Sequence, residues 1–184
     1  MNKSIEWVTA LKAFGIIAII ALIAFWDVAS SQRTLKWDMI DGNYPFQFLQ
    51  SEFEQNGELP LWDSYTYFGN AMHGKMSQWY PVRFISSKIS SYSLQKINVE
   101  FVLHLILAGF SMFLLAVRLC LSRYAALIVG IAYMLSGFFV GNAQHMGWII
   151  SGALLPLVLL IYYNFLVAPN VKKSLWFILI FFSF

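Results

Sequence analysis

The sequence predicts an all-α integral membrane protein, a multispanning helix bundle, and two observations carry that expectation. Of its 184 residues, 59% are hydrophobic and 11% are charged, too apolar a balance for an ordinary soluble domain. The apolar residues also come in blocks, as bilayer spans of about 20 residues require. The expected architecture is four complete spans plus a truncated fifth, with a large first outer loop carrying short amphipathic helices. Residues 1–26 form the cytoplasmic N-terminus and first span, 27–98 an extracytoplasmic loop with the active site, and 99–184 the remaining spans.

The first span is the uninterrupted apolar run Ala13–Trp26, preceded by Lys3 and Lys12. A cleavable leader ending near Val28-Ala29-Ser30 is the alternative reading. The later spans favour a retained helix, lengthened by Trp7–Leu11 with Lys12 snorkelling. Phe101–Val117 is the second span and Tyr124–Val140 the third, followed by the charge-free Gly141–Gly147. Trp148–Val167 is the fourth, and its Pro156 requires neighbours that satisfy the freed carbonyl. Leu175–Phe184 begins a fifth apolar run and stops.

Lys and Arg set the orientation. With the N-terminus inside, Lys3, Lys12, Arg118, Arg123, Lys172 and Lys173 are cytoplasmic, and Gly141–Gly147 outside carries none. This topology brings Asp38, Asp41, Glu100, His104 and His145 to one outer cleft. The expected location is a bacterial inner membrane.

The long loop concentrates the polar chemistry. Lys36–Pro81 holds Asp38, Asp41, Glu52, Glu54, Glu58 and Asp63, six of the nine acids. Within it, Asn43-Tyr44-Pro45 reads as a helix start with Asn43 as N-cap. Phe46, Leu49 and Phe53 then form the apolar face of a helix that lies in the membrane interface or packs on the loop. Glu58–Pro81 reads as irregular, and the serine-rich Val82–Gln95 as a second surface helix.

Asp38 and Asp41, at i and i+3, are either a general base with its partner or two solvated turn aspartates. Asp41 is also the candidate contact for a divalent cation, Mg or Mn. Lys75 and Arg83 are candidate phosphate contacts, and the free N–H groups at Tyr44–Phe46 suit a phosphate. His104 and His145 are candidate substrate-binding groups; Glu100 has a structural reason at the positive end of its helix. Trp62 and Tyr80 can stack on a sugar face or belong to the interfacial aromatic belt. One cysteine, Cys120, excludes an intrachain disulfide, and the absence of a dense basic cluster argues against nucleic acid.

The string Trp37-Asp38-Met39-Ile40-Asp41 leading to Tyr44-Pro45 is specific. It is followed by Asn56-Gly57-Glu58-Leu59-Pro60-Leu61-Trp62-Asp63, then Phe68-Gly69-Asn70, then Trp79-Tyr80-Pro81. This order resembles the N-terminal part of the YfhO family of bacterial membrane proteins, which are assigned to the GT-C class of glycosyltransferases. Gly147–Asn164 resembles a later family segment more loosely. The resemblance implies a GT-C-like helix bundle that transfers a sugar from a polyprenyl-phosphate donor to a cell-envelope glycan, lipid or protein acceptor on the outer face. It implies that Asp38 is the base, with Asp41 as companion, and that more helices are needed for activity than this chain contains. The alternative is a non-enzymatic membrane assembly or docking subunit.

Overall fold

The computed structural model describes residues 7–72, 80–119, 121–170 and 175. Apart from Leu175, the expected fifth span therefore lies outside the described residues, as do His73, Lys75, Trp79, Cys120, Lys172 and Lys173. In chain order, α1 (Trp7–Ala24) and α2 (Trp26–Ala29) lead to a π-helical turn, Met39–Asn43, that runs directly into α3 (Tyr44–Gln55). A small hairpin, β1 (Trp62–Asp63) with β2 (Asn70–Ala71), precedes α4 (Pro81–Ile89). The rest is α5 (Leu94–Arg118), α6 (Arg123–Met134), α7 (Gly137–Gly141) and α8 (Met146–Val167). Among the described residues, α1, α5, α6 with α7, and α8 form four segments long and apolar enough to cross a membrane.

Helix α5 is the axis of the bundle. It packs against α8 and α6 most extensively, then α1 and α2. Its Phe101, Leu105, Ala108, Phe113 and Ala116 meet Ile17, Met134, Phe139 and Ile149 in one core. The outer side of α1 exposes Trp7, Val8, Leu11, Ile19 and Ile23, a surface suited to lipid rather than water. Small residues let α5 and α6 approach closely: a Cβ on Gly130 would sit 2.6 Å from the Gly109 carbonyl oxygen.

Pro156 lies inside α8 and cannot donate to the carbonyl of Gly152, four residues earlier. Tyr133 of α6 supplies the missing donor, its hydroxyl reaching the Gly152 carbonyl at 2.8 Å. Beside it, the Ser111 hydroxyl of α5 donates to the Ala153 carbonyl at 3.0 Å. The neighbours thus satisfy the proline's gap, as the sequence requires. Tyr133→Phe is expected to destabilise the bundle by about 1 kcal/mol. Pro156→Ala restores the internal donor, so the same change in that background should cost much less. Unfolding titrations of the four proteins in detergent check this.

Several boundaries differ from expectation. Helix α5 starts at Leu94, ahead of the 98/99 boundary, because the Ser93 hydroxyl caps it by accepting from the Lys96 N–H at 3.2 Å. The third span breaks at Leu135–Ser136, where Ser136 is extended (φ −64°, ψ 155°) and α7 restarts. Asn43 is no N-cap: it is helical (φ −70°, ψ −49°) and its side chain makes no cap bond. The preceding π turn explains this, since the Tyr44 N–H already donates to the Met39 carbonyl. The phosphate-binding helix start expected at Tyr44–Phe46 is thereby lost.

Residues 58–72, the described part of the stretch expected to be irregular, hold a small hairpin. Asp63 organises the hairpin turn, accepting from the N–H groups of Tyr65 (2.8 Å) and Thr66 (3.3 Å) and from the Thr66 hydroxyl (2.5 Å). Gly69 returns the chain at φ +110°, and the Trp62 indole occupies the space a Cβ there would need, 2.6 Å away. The hairpin accounts structurally for Trp62-Asp63 and Gly69-Asn70.

The two short helices are inside out. In α3 the buried residues are Gln47, Gln50, Ser51 and Glu54, while Phe48 is exposed and Phe46, Leu49 and Phe53 are half-buried. In α4 the buried residues are Arg83 and Ser87, with Val82, Phe84, Ile85 and Ile89 exposed. The two polar faces meet. Glu54 accepts from Gln50 Nε2 (2.8 Å) and from the Ser87 hydroxyl. Gln55 Nε2 donates to the Ser87 carbonyl (3.2 Å), and Lys88 Nζ to the Glu54 carbonyl (3.1 Å). A pair with its polar faces shared and its apolar faces outward is the arrangement an interfacial or lipid surround favours.

Candidate functional site

Two groups of chemically capable side chains stand at the end of the bundle where α5 begins. The first is built by α4 and α5. Arg83 and Ser87 share one face of α4, and Glu100 and His104 share one face of α5, each pair at i, i+4. Arg83 Nε donates to Glu100 Oε1 at 2.8 Å, both side chains 6% exposed. Taking both charges out of water is costly, and their direct contact offsets that cost. Arg83 Nη2 is buried with no hydrogen-bond partner among the described residues.

The imidazole of His104 extends this cluster. Its Nδ1 lies 2.7 Å from the Glu100 carbonyl oxygen, which can only accept, so Nδ1 carries the proton. In that neutral tautomer Nε2 accepts, and the Tyr80 hydroxyl donates to it at 2.5 Å. Tyr80 is held protonated: burial first, then the Glu100 carboxylate, push its pKa up to about 12, against a lowering by Arg83. Its ring is buried and tilted 44° against His104. Tyr80 therefore anchors the α4 start to α5 through its hydroxyl, where a sugar platform would need an open ring face. Glu100 likewise serves as the Arg83 partner; because α5 begins at Leu94, Glu100 lies beyond its first turn, and the helix-dipole role its sequence position suggests does not apply.

These four residues line a cavity of about 540 Å³. Lys96 with Ser86, Ser90, Ser91 and Ser93 completes its polar end, and Val99, Leu103 and Leu107 its apolar end. Asp38, Asp41 and His145 are not among the lining residues, so the single cleft expected from topology is two separate groups.

The second group is Asp38 with His145. Trp37 turns the chain in the left-handed region (φ +58°), and its carbonyl accepts from the N–H groups of Ile40 and Asp41 at 2.8 and 3.0 Å. This places Asp38 at the head of the π turn with its carboxylate 70% exposed. His145 precedes α8, and its Nδ1 lies 3.5 Å from Asp38 Oδ2. The ring is held by Trp148, centroids 4.5 Å apart, and by Gln144 Nε2, 3.2 Å from His145 Nε2.

Asp41 is exposed. Among the described residues no three His, Cys, Asp or Glu side chains gather to hold a metal ion. Trp62 is half-exposed, with its ring against Gly69. Lys75 lies outside the described residues. Sequence reasoning missed the Glu54–Ser87 contact and Lys96. Their signal was present in the polar i, i+3, i+4 spacing of Gln47, Gln50, Ser51 and Glu54, but reading it required knowing that this face is buried. Compared with known proteins, the chain matches no family model, no curated protein and no solved structure.

Proposed function

We propose that the chain is part of a YfhO-like, GT-C-class enzyme of the bacterial inner membrane. In this reading its N-terminus is cytoplasmic, and Asp38 stands outside as the base that activates an acceptor hydroxyl. The observation that supports it is the pairing of Asp38, at the head of the long loop, with His145, ahead of α8, with the carboxylate exposed. An exposed carboxylate can approach an acceptor, and an imidazole against one oxygen orients the other. The acceptor proton passes to Asp38, the hydroxyl oxygen bonds to the sugar's anomeric carbon, and the bond to the lipid phosphate breaks with its electron pair on the phosphate oxygen. The donor is a polyprenyl-phosphate sugar and the acceptor an envelope glycan, lipid or protein. No step here runs through a divalent cation.

The test is transfer of labelled sugar from polyprenyl phosphate by the complete gene product in native membranes. Asp38→Asn should reduce transfer about a hundredfold at unchanged expression. Equal rates would remove Asp38 from that role. A docking subunit is the second reading, favoured by the hairpin tip, where Tyr65, Tyr67 and Phe68 are fully or almost fully exposed. On that reading partner capture depends on Tyr65 and Trp62 and is indifferent to Asp38→Asn.

A further inference from the structure

We infer that Gln144 is a positioning residue for the Asp38–His145 pair: its amide fixes the imidazole tautomer and leaves Asp38, not His145, as the base. The tautomer follows from geometry alone; the assignment of the base rests on the hydroxyl activation proposed above.

His145 stands just ahead of α8, where the backbone holds it. Its N–H donates to the Asn142 carbonyl at 2.8 Å, and its carbonyl accepts from the N–H groups of Trp148 (2.9 Å) and Ile149 (3.2 Å). The ring packs on Trp148, and its two nitrogens face opposite chemistry. Nδ1 lies 3.5 Å from Asp38 Oδ2, and a carboxylate accepts but cannot donate, so the proton belongs on Nδ1. In the neutral ring Nε2 then keeps a lone pair. The Gln144 amide nitrogen, a donor, lies 3.2 Å from it. The carboxylate on one side and the amide on the other thus select the same tautomer.

That tautomer decides the roles. An imidazole acts as a base through a lone pair that reaches the reacting proton. In a Ser-His-Asp arrangement the carboxylate holds one ring nitrogen and the other faces the hydroxyl. Here Gln144 takes that second nitrogen, so His145 has no lone pair to offer an acceptor. The proton must go to Asp38, whose side chain is 70% exposed against 30% for His145. Nδ1–H steadies one carboxylate oxygen while the other receives the acceptor proton. The hydroxyl oxygen keeps the electron pair with which it forms its new bond. A glutamate at position 144 would keep the shape, lose the donor and draw the ring proton to Nε2.

The experiment is nitrogen-15 spectroscopy of the complete gene product, histidine-labelled and purified in detergent, at about pH 8, where an ordinary imidazole is neutral. The His145 signals are those lost in His145→Asn. The wild type should carry its ring proton on Nδ1, and Gln144→Glu should move it to Nε2. In the transfer assay Gln144→Glu should lower kcat about tenfold, the rate equivalent of one hydrogen bond, with KM unchanged. His145→Asn keeps an N–H donor without a basic lone pair, so it should lose less transfer than Asp38→Asn. A ring proton on Nε2 in the wild type, or one unmoved by Gln144→Glu, would overturn the role of Gln144. Equal losses in His145→Asn and Asp38→Asn would make His145 the base. If the wild type transfers no sugar, the base assignment falls with the glycosyltransferase reading, and the spectrum still decides the tautomer.

Discussion

Glu100→Leu should cost about 3–5 kcal/mol of stability, the largest loss expected for any single change to the buried polar cluster. The carboxylate is the partner of a guanidinium that is 6% exposed and already has one terminal nitrogen without an acceptor among the described residues. Without Glu100, a full positive charge stays buried, and α4 must swing out to hydrate it. The double variant Arg83→Met/Glu100→Leu removes both charges and should recover most of the loss, because a buried pair replaced by apolar groups is often neutral. The Tyr80–His104 bond should persist in both, since His104 is oriented by the backbone carbonyl of residue 100. Denaturant unfolding followed by tryptophan fluorescence would measure the three stabilities. A single-variant loss below about 1 kcal/mol would mean that water reaches the pair.

That cluster also shows where a sequence stops being readable. The amphipathic spacing of α3 was plain, and so was its polar face; which face turns inward was not. Periodicity reports that two faces differ, and the surroundings decide their direction. In water the apolar face packs inward, whereas here Ser51 and Glu54 pack inward because Ser87, Lys88 and Tyr92 of the neighbouring segment supply their partners. Arg83 and Glu100 were each visible as candidates, yet the register of α4 against α5 that joins them is a tertiary fact. The Asp38–His145 contact was more accessible. Alternating span directions bring the head of the loop and the α7–α8 connection to the same end, and only the separation of this pair from the α4–α5 cavity was missed. Pro156 was legible for a related reason: a missing donor at a known position requires a substitute nearby, and Tyr133 fills that requirement.

Gly130→Leu should be the most damaging change in the bundle itself, with a loss of about 3 kcal/mol or more. A new Cβ would meet the Gly109 carbonyl oxygen at 2.6 Å, with Phe113 Cβ at 3.2 Å and its backbone nitrogen at 3.4 Å. Two of those three atoms are backbone, so no side-chain rotamer relieves the contact and α6 must move away from α5. The movement would pull Tyr133 off the Gly152 carbonyl and loosen Met134 from the core, coupling one crowded atom to the Pro156 gap in α8. Gly130→Ala adds the same Cβ without the rest of the side chain and should account for much of the loss. Gly137→Ala is the control, because nothing lies within 4 Å of a Cβ there. Unfolding midpoints of the three variants in one detergent decide the matter: equal losses at 130 and 137 would show that α5 and α6 are not in close backbone contact.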